Sequence, residues 1–190
     1  MSKPKLFVIS APSGCGKTTI AREILKRHPE ILFSVSATTR TKREHETEGR
    51  DYFFVTKVEF DKKIKNDELI EWELIYGDYY GSLKREVENA LRRGKSILFD
   101  VDVKGALSIK KKYPHDVVLI FIQPPSIEVL TQRLMNRKTE DSATLQKRLE
   151  RVPMELELGK EFHYSVVNDV LPTAVNNVDA IIIDSLRETI

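Results

Sequence analysis

The chain has 190 residues, 41% of them hydrophobic and 32% charged, which suits one domain with a sizeable core and argues against a disordered chain. Its net charge of +2, from 31 Lys and Arg against 29 Asp and Glu, provides no overall field for nucleic acid or an anionic membrane, so any basic site must be local. One cysteine excludes an intramolecular disulfide framework, and His28, His45, His115 and His163 lack the spacing of a zinc site. The expectation is a reducing, cytoplasmic setting with no signal peptide and no bilayer-spanning segment.

The first predicted element is the apolar strand Leu6-Phe7-Val8-Ile9, which runs into Ala11-Pro12-Ser13-Gly14-Cys15-Gly16-Lys17-Thr18 and leaves through a helix carrying Ile20, Ala21, Ile24 and Leu25. Strand, glycine-rich loop and helix form a triphosphate cradle: backbone N–H groups turn toward phosphate oxygens, Lys17 adds a mobile positive charge, and the Thr18 hydroxyl is a magnesium ligand. The segment Ala11 to Thr19 is therefore the candidate ATP site. Its first position departs from the glycine of the strict pattern, and alanine fits there only with a negative φ. The inward N–H groups and Lys17 suggest a lowered thiol pKa at Cys15 and ATP binding sensitive to oxidation; the competing reading, which is preferred, is a small residue tolerated in the loop.

Arginines, hydroxyls and a tyrosine concentrate between Thr38 and Tyr52, where Arg40 and Arg43 can share one anion through their planar donor forks. The aromatic or alternating segments Tyr52–Val55, Leu69–Leu74 and Tyr79–Gly81 predict a small, half-exposed antiparallel sheet covered by a helix over Lys57–Lys65. Continuous apolar runs at Ser96–Phe99, ending at Asp100, and at Val117–Ile122 predict buried parallel strands joined by a helix over Lys104–Lys112. Helices are expected at Ser126–Arg137, at Ala143–Lys160 and from about Pro172, with a short strand at Val166-Val167. Arg133 and Arg137 stand four apart on one helix face, where an anion between them would relieve their repulsion.

Ser36-x-x-Thr39-Arg40-x-x-Arg43, then Glu46, Gly49, Tyr52 and Phe54, then Ile70-Glu71-Trp72, Tyr79-Tyr80-Gly81-Ser82 and Asp100-Val101-Asp102, resembles guanylate kinase over essentially the whole chain. The resemblance implies a P-loop three-layer α/β/α fold with a parallel central sheet, an inserted small mixed GMP-binding lobe and a helical lid. It also implies the reaction ATP + GMP ⇌ ADP + GDP with Mg²⁺. Residues 1–35, 92–125 and 151–190 would form the core, 36–91 the lobe and 126–150 the lid region of a single domain. Carried over by position, Arg40, Arg43, Tyr52 and Tyr80 would hold the GMP phosphate, while Ser36, Glu71, Ser82 and Asp102 would face guanine. Lys17, Arg40, Arg133, Arg137 and Arg148 would stabilise the transferring phosphoryl group. Asp100 would organise magnesium, directly or through water, or orient its neighbours. Where the family often has Arg-Gly-Thr, this chain has Arg137-Lys138-Thr139.

Guanine's own chemistry agrees with that set. Its pairing edge offers N1–H and an amino group as donors and O6 as acceptor, complementary to carboxylates at Glu71 and Asp102 and a hydroxyl at Ser82. Adenine would meet Glu71 lone pair to lone pair. The alternative function is a non-catalytic guanylate-kinase-like domain that binds phosphopeptides, against which Lys17 and Thr18 argue.

Overall fold

Alternate residues of a strand point to opposite faces, and here that alternation builds two separate cores. The computed structural model describes residues 3–136 and 142–187, so the expectations for Arg137 and for Lys138-Thr139 lie outside the described residues. The central sheet is formed by β1 (Leu6–Ser10), β2 (Leu32–Phe33), β7 (Ile97–Asp100), β8 (Val117–Gln123) and β9 (Tyr164–Val167), in the order β2-β7-β1-β8-β9. Every pairing in it is parallel.

Phe7, Ile9, Leu98, Val118, Ile120 and Ile122 face one layer of helices: α1 (Lys17–Arg27), α5 (Ile127–Met135), α6 (Ser142–Gly159) and α7 (Leu171–Arg187). Leu6, Val8, Ile97, Phe99, Val117 and Leu119 face the other, made by α3 (Lys84–Arg92) and α4 (Val103–Lys112). Apolar burial on both faces explains why these strands read as continuous hydrophobic runs. The expected three-layer α/β architecture is the observed one.

The second sheet has the order β4-β3-β6-β5, with β3 at Ser36–Thr38, β4 at Phe53–Phe54, β5 at Leu69–Ile75 and β6 at Asp78–Leu83. β3 and β4 pair in parallel while the others are antiparallel, so the sheet is mixed rather than purely antiparallel. Its small core of Ala37, Phe60, Leu69 and Leu83 is closed by α2 (Lys57–Lys65). A capping box starts α2: the Thr56 hydroxyl accepts from the Glu59 amide, and the Glu59 carboxylate accepts from the Thr56 amide.

Two features of this frame place the site. Ile9 is the register partner of Asp100, so the loop after β1 emerges beside the carboxylate that ends β7, at the carboxyl ends of parallel strands. The β5–β6 hairpin turns through Tyr76 and Gly77, whose φ angles of +54° and +92° are those of a two-residue primed turn. That turn holds Tyr76 against α6, with its ring 5.5 Å from the guanidinium carbons of both Arg148 and Arg151.

Candidate active site

Gly14 and Gly16 adopt φ of +93° and +83°, which L side chains rarely accept, and space forbids a methyl at both. A Cβ at Gly14 would lie 2.9 Å from Leu134, and one at Gly16 would lie 2.6 Å from the Asn168 amide nitrogen. The positive-φ residues other than glycine are Asp67 and Tyr76 among the described residues, so Ala11 keeps a negative φ. Its methyl is buried in the core cluster, which accounts for alanine at that position. Every residue from Ala11 to Thr19 lines a cavity of about 210 Å³, joined by Ile75, Tyr76, Asp102, Arg151 and Glu155.

Lys17 Nζ lies 2.6 Å from Asp100 Oδ1 and donates to the Val101 carbonyl at 3.0 Å. Burial works to lower the Lys17 pKa, but its contacts with Asp100, reinforced by Tyr52 and Asp102, outweigh that and raise it. The Thr18 hydroxyl donates to Asp100 Oδ2 at 2.7 Å. For magnesium the fit is good. Among the described residues no cluster of three or more His, Cys, Asp or Glu forms a protein cage. A hydroxyl and one carboxylate beside a phosphate loop are what this hard cation uses when substrate phosphates and water supply its other oxygens.

Cys15 corrects the thiolate idea. Its side chain is fully buried, and that burial pushes the thiol up to about 12, with the nearby Arg133 charge only partly opposing it. Nucleophilic oxidation needs the thiolate, so the side chain acts as a small apolar filler in the core.

The second anion site is assembled around Arg40. Its Nη2 lies 2.7 Å from Glu46 Oε1, and its guanidinium carbon sits 5.5 Å from the Tyr52 ring and 5.9 Å from that of Phe54. Tyr52 and Tyr80 meet edge to face at 6.0 Å. Arg43 donates its backbone N–H to Glu46 Oε2 at 2.8 Å, leaving its exposed side chain beside the site. Burial alone would raise the Glu46 pKa, but hydrogen bonds from Arg40 and the Arg43 amide hold it below the usual carboxylate value. Glu46 thus orients both arginine residues, a role the sequence did not assign although the residue belongs to the motif. The Tyr52 pKa is raised, first by burial and then by Asp100, while Lys17 and Arg40 pull the other way. One phenol therefore senses the charges of both anion sites.

Strand register brings together Ser36, Glu71 and Ser82, residues expected to face the base. Ser82 is opposite Ser36 on one side and Glu71 on the other, and its hydroxyl donates to Glu71 Oε1 at 2.6 Å. Asp102 caps α4 by accepting the Gly105 amide on Oδ1 at 2.9 Å, and its Oδ2 accepts from Arg151 at 3.1 Å. Glu71 is nearly inaccessible, and burial raises its carboxyl to about 7; the Ser82 hydroxyl opposes this and the Asp102 charge adds to it. Gly105 packs beside both acids: a Cβ there would be 2.7 Å from Glu71 Oε2 and 3.0 Å from Asp102 Oδ1.

Arg148 reaches the loop and bonds the Ser13 hydroxyl. Arg133 instead donates to the carbonyls of Asn168 at 2.8 Å and Asp169 at 3.3 Å, while Asn168 donates from its amide to the Cys15 carbonyl at 2.8 Å. Asn168, Tyr76, Arg151 and Glu155 were not read from the sequence. For the last two a signal exists: Arg148, Arg151 and Glu155 fall at i, i+3 and i+7, one face of a helix.

The family model described as guanylate kinase matches residues 3–185. The guanylate kinase of Chlorobium chlorochromatii is 50% identical over 180 residues, covering 95% of each chain. That of Thermotoga maritima is 47% identical, covering 95% of this chain and 86% of its own. The crystal structure of guanylate kinase from Anaplasma phagocytophilum superposes with a TM-score of 0.83 at 30% identity, covering all of this chain and 89% of that one. A phosphate loop, a second arginine–tyrosine anion site and a paired-carboxylate pocket thus occur on a chain matched nearly end to end, and the protein belongs to the guanylate kinase family.

Proposed function

We propose that this enzyme transfers the γ-phosphoryl group of ATP to GMP, giving ADP and GDP, as a cytoplasmic step of purine nucleotide metabolism. The observation that carries the reading is a phosphate loop with Lys17 set on Asp100, in the same chain as a cluster of Arg40, Tyr52 and Tyr80. Two phosphate sites on one domain suit a direct transfer between two nucleotides.

ATP phosphates would lie in the loop from Ala11 to Thr19, and the GMP phosphate against Arg40, Arg43, Tyr52 and Tyr80. Thr18 and Asp100 would hold Mg²⁺, which neutralises charge on the ATP phosphates. Guanine would donate N1–H to the Glu71 carboxylate and its amino group to Asp102, with Ser36 and Ser82 lining the pairing edge. The GMP phosphate is already largely ionised near neutral pH, so no general base is needed. Lys17 and Arg148 then offset the charge that spreads over the transferring group.

A coupled assay of ADP formation with GMP, AMP, CMP and UMP tests this. GMP is expected to be preferred by about 10⁴-fold in kcat/KM, because the other bases leave buried polar groups unpaired. Absence of turnover with GMP removes the proposal.

The crowding at Gly105 makes a separate prediction. Gly105→Ala should raise the KM for GMP by about tenfold or more, since the methyl must displace Glu71 or Asp102. Steady-state kinetics should show the KM for ATP nearly unchanged. Thermal stability should fall modestly, because the methyl overpacks against Glu71 and the higher helix propensity of alanine offsets only part of that strain.

A further inference from the structure

Arg151 stands where the lid helix, the phosphate loop, the lobe hairpin and the base pocket meet. Its Nη2 donates to Asp102 Oδ2 at 3.1 Å, its Nε lies 3.3 Å from Glu155 Oε1, and its guanidinium carbon is 5.5 Å from the Tyr76 ring. Its side chain is largely buried, at 21% exposure, and Glu155 is more buried still at 7%. A surface ion pair would contribute little, but these charges are withdrawn from water and fixed in geometry.

One turn earlier on the same helix face, Arg148 bonds the Ser13 hydroxyl of the phosphate loop and lies against the same Tyr76 ring, again at 5.5 Å. Glu155, one turn later, lines the same phosphate-loop cavity as Ser13. The helix therefore holds the phosphate loop through Arg148 and, one turn on, the Asp102 carboxylate through Arg151. Arg148 and Arg151 lie one turn apart, both before Pro153, which interrupts the hydrogen-bond ladder of α6, so within that turn whatever seats Arg148 on a triphosphate also seats Arg151 on Asp102.

We propose that Arg151 is a positioning residue that couples the two nucleotide sites: with ATP in the loop, α6 is held as seen here and Arg151 fixes the Asp102 carboxylate in its guanine-accepting orientation, so ATP tightens GMP binding. The proposal rests on the reading that Asp102 faces guanine. Asp102 Oδ1 is already committed to the Gly105 amide, and Arg151 restrains the other oxygen, so together they set the carboxylate plane. Tyr76 is held by its hairpin in a left-handed conformation that costs a non-glycine residue energy, and it wedges both guanidiniums into register. Linkage makes the effect reciprocal: GMP must tighten ATP by the same factor.

The test is a calorimetric titration of GMP into the full chain, with and without saturating magnesium AMP-PNP, a non-hydrolysable ATP analogue. In the unaltered protein the analogue is expected to lower the GMP Kd by about fivefold or more. Arg151→Gln is expected to bring that ratio close to one. A loss of stability alone would not change the ratio, since it acts on the fraction folded and not on the difference between the two titrations. Tyr76→Leu removes the ring without touching an ion pair; it should lower the ratio in the same direction and decides the matter if Arg151→Gln does not fold. A ratio of one in the unaltered protein, or an undiminished ratio in the folded variants, overturns the proposal. Turnover of GMP by the unaltered protein in the coupled assay keeps that failure distinct from failure of the GMP kinase reading.

Discussion

Lys17→Met is expected to lower turnover by about 10³-fold while the protein stays folded, because it removes a charge that acts mainly on the transferring phosphoryl group. Methionine keeps the length of the stem and its apolar contacts. What is lost is the ammonium that sits 2.6 Å from Asp100 and bonds the Val101 carbonyl. Asp100 Oδ2 retains the Thr18 hydroxyl as a donor, while the buried Oδ1 loses the Lys17 charge, so the melting temperature should fall although the fold persists. Circular dichroism and a thermal melt should report an intact fold, while single-turnover formation of GDP should fall by the same factor as kcat. A variant with near-normal turnover would show that the charge offset comes from the arginines instead.

Glu71→Gln is expected to raise the KM for GMP by about 10- to 100-fold, the range for losing hydrogen bonds to a charged acceptor. Its pH dependence gives the more discriminating result. Burial holds the Glu71 carboxyl at about 7, so below that pH the free enzyme carries a proton where guanine N1–H needs an acceptor. Binding GMP must then expel that proton. KM for GMP should therefore rise as pH falls through about 7, approaching tenfold per unit, and be flat above it. The phosphate of GMP titrates near ~6 and adds its own slope, which alone should survive in Glu71→Gln. The same raised carboxyl makes a stability statement. The favourable neutral form is fully present below the ordinary value of 4.5 and is lost as pH rises through about 7, so Glu71→Gln should melt progressively higher relative to the parent over that interval. Identical pH profiles in parent and variant would remove Glu71 from base recognition.

Much of this site was legible before folding, and the reason differs by residue. The loop from Ala11 to Thr18 is local: its glycines, lysine and threonine act through neighbours in the chain, and only Ala11 needed the structure to account for it. The apolar runs at β1, β7 and β8 announced buried parallel strands because both their faces are covered. Two-residue β2 and three-residue β3 carry too few positions to show a period, and α3 was likewise not anticipated. The Cys15 thiol shows how far a local argument can miss. Lys17 and the loop amides suggested a lowered pKa, but burial raises it to about 12.

By itself the sequence determined the chemistry carried by each segment: a phosphate loop, an arginine–tyrosine anion site, two carboxylates with a serine, and a helix bearing arginines. Each of these depends on residue type and short spacing, which are properties of the linear chain. Only the tertiary structure decided which groups meet. It set Arg40 over the Tyr52 ring, directed Arg133 to the Asn168 carbonyl, and gave Arg148 the loop and Arg151 the Asp102 carboxylate. Apart from Arg40 and Tyr52, those partners lie 35 or more residues apart, and their contacts and burial exist only once the chain has folded.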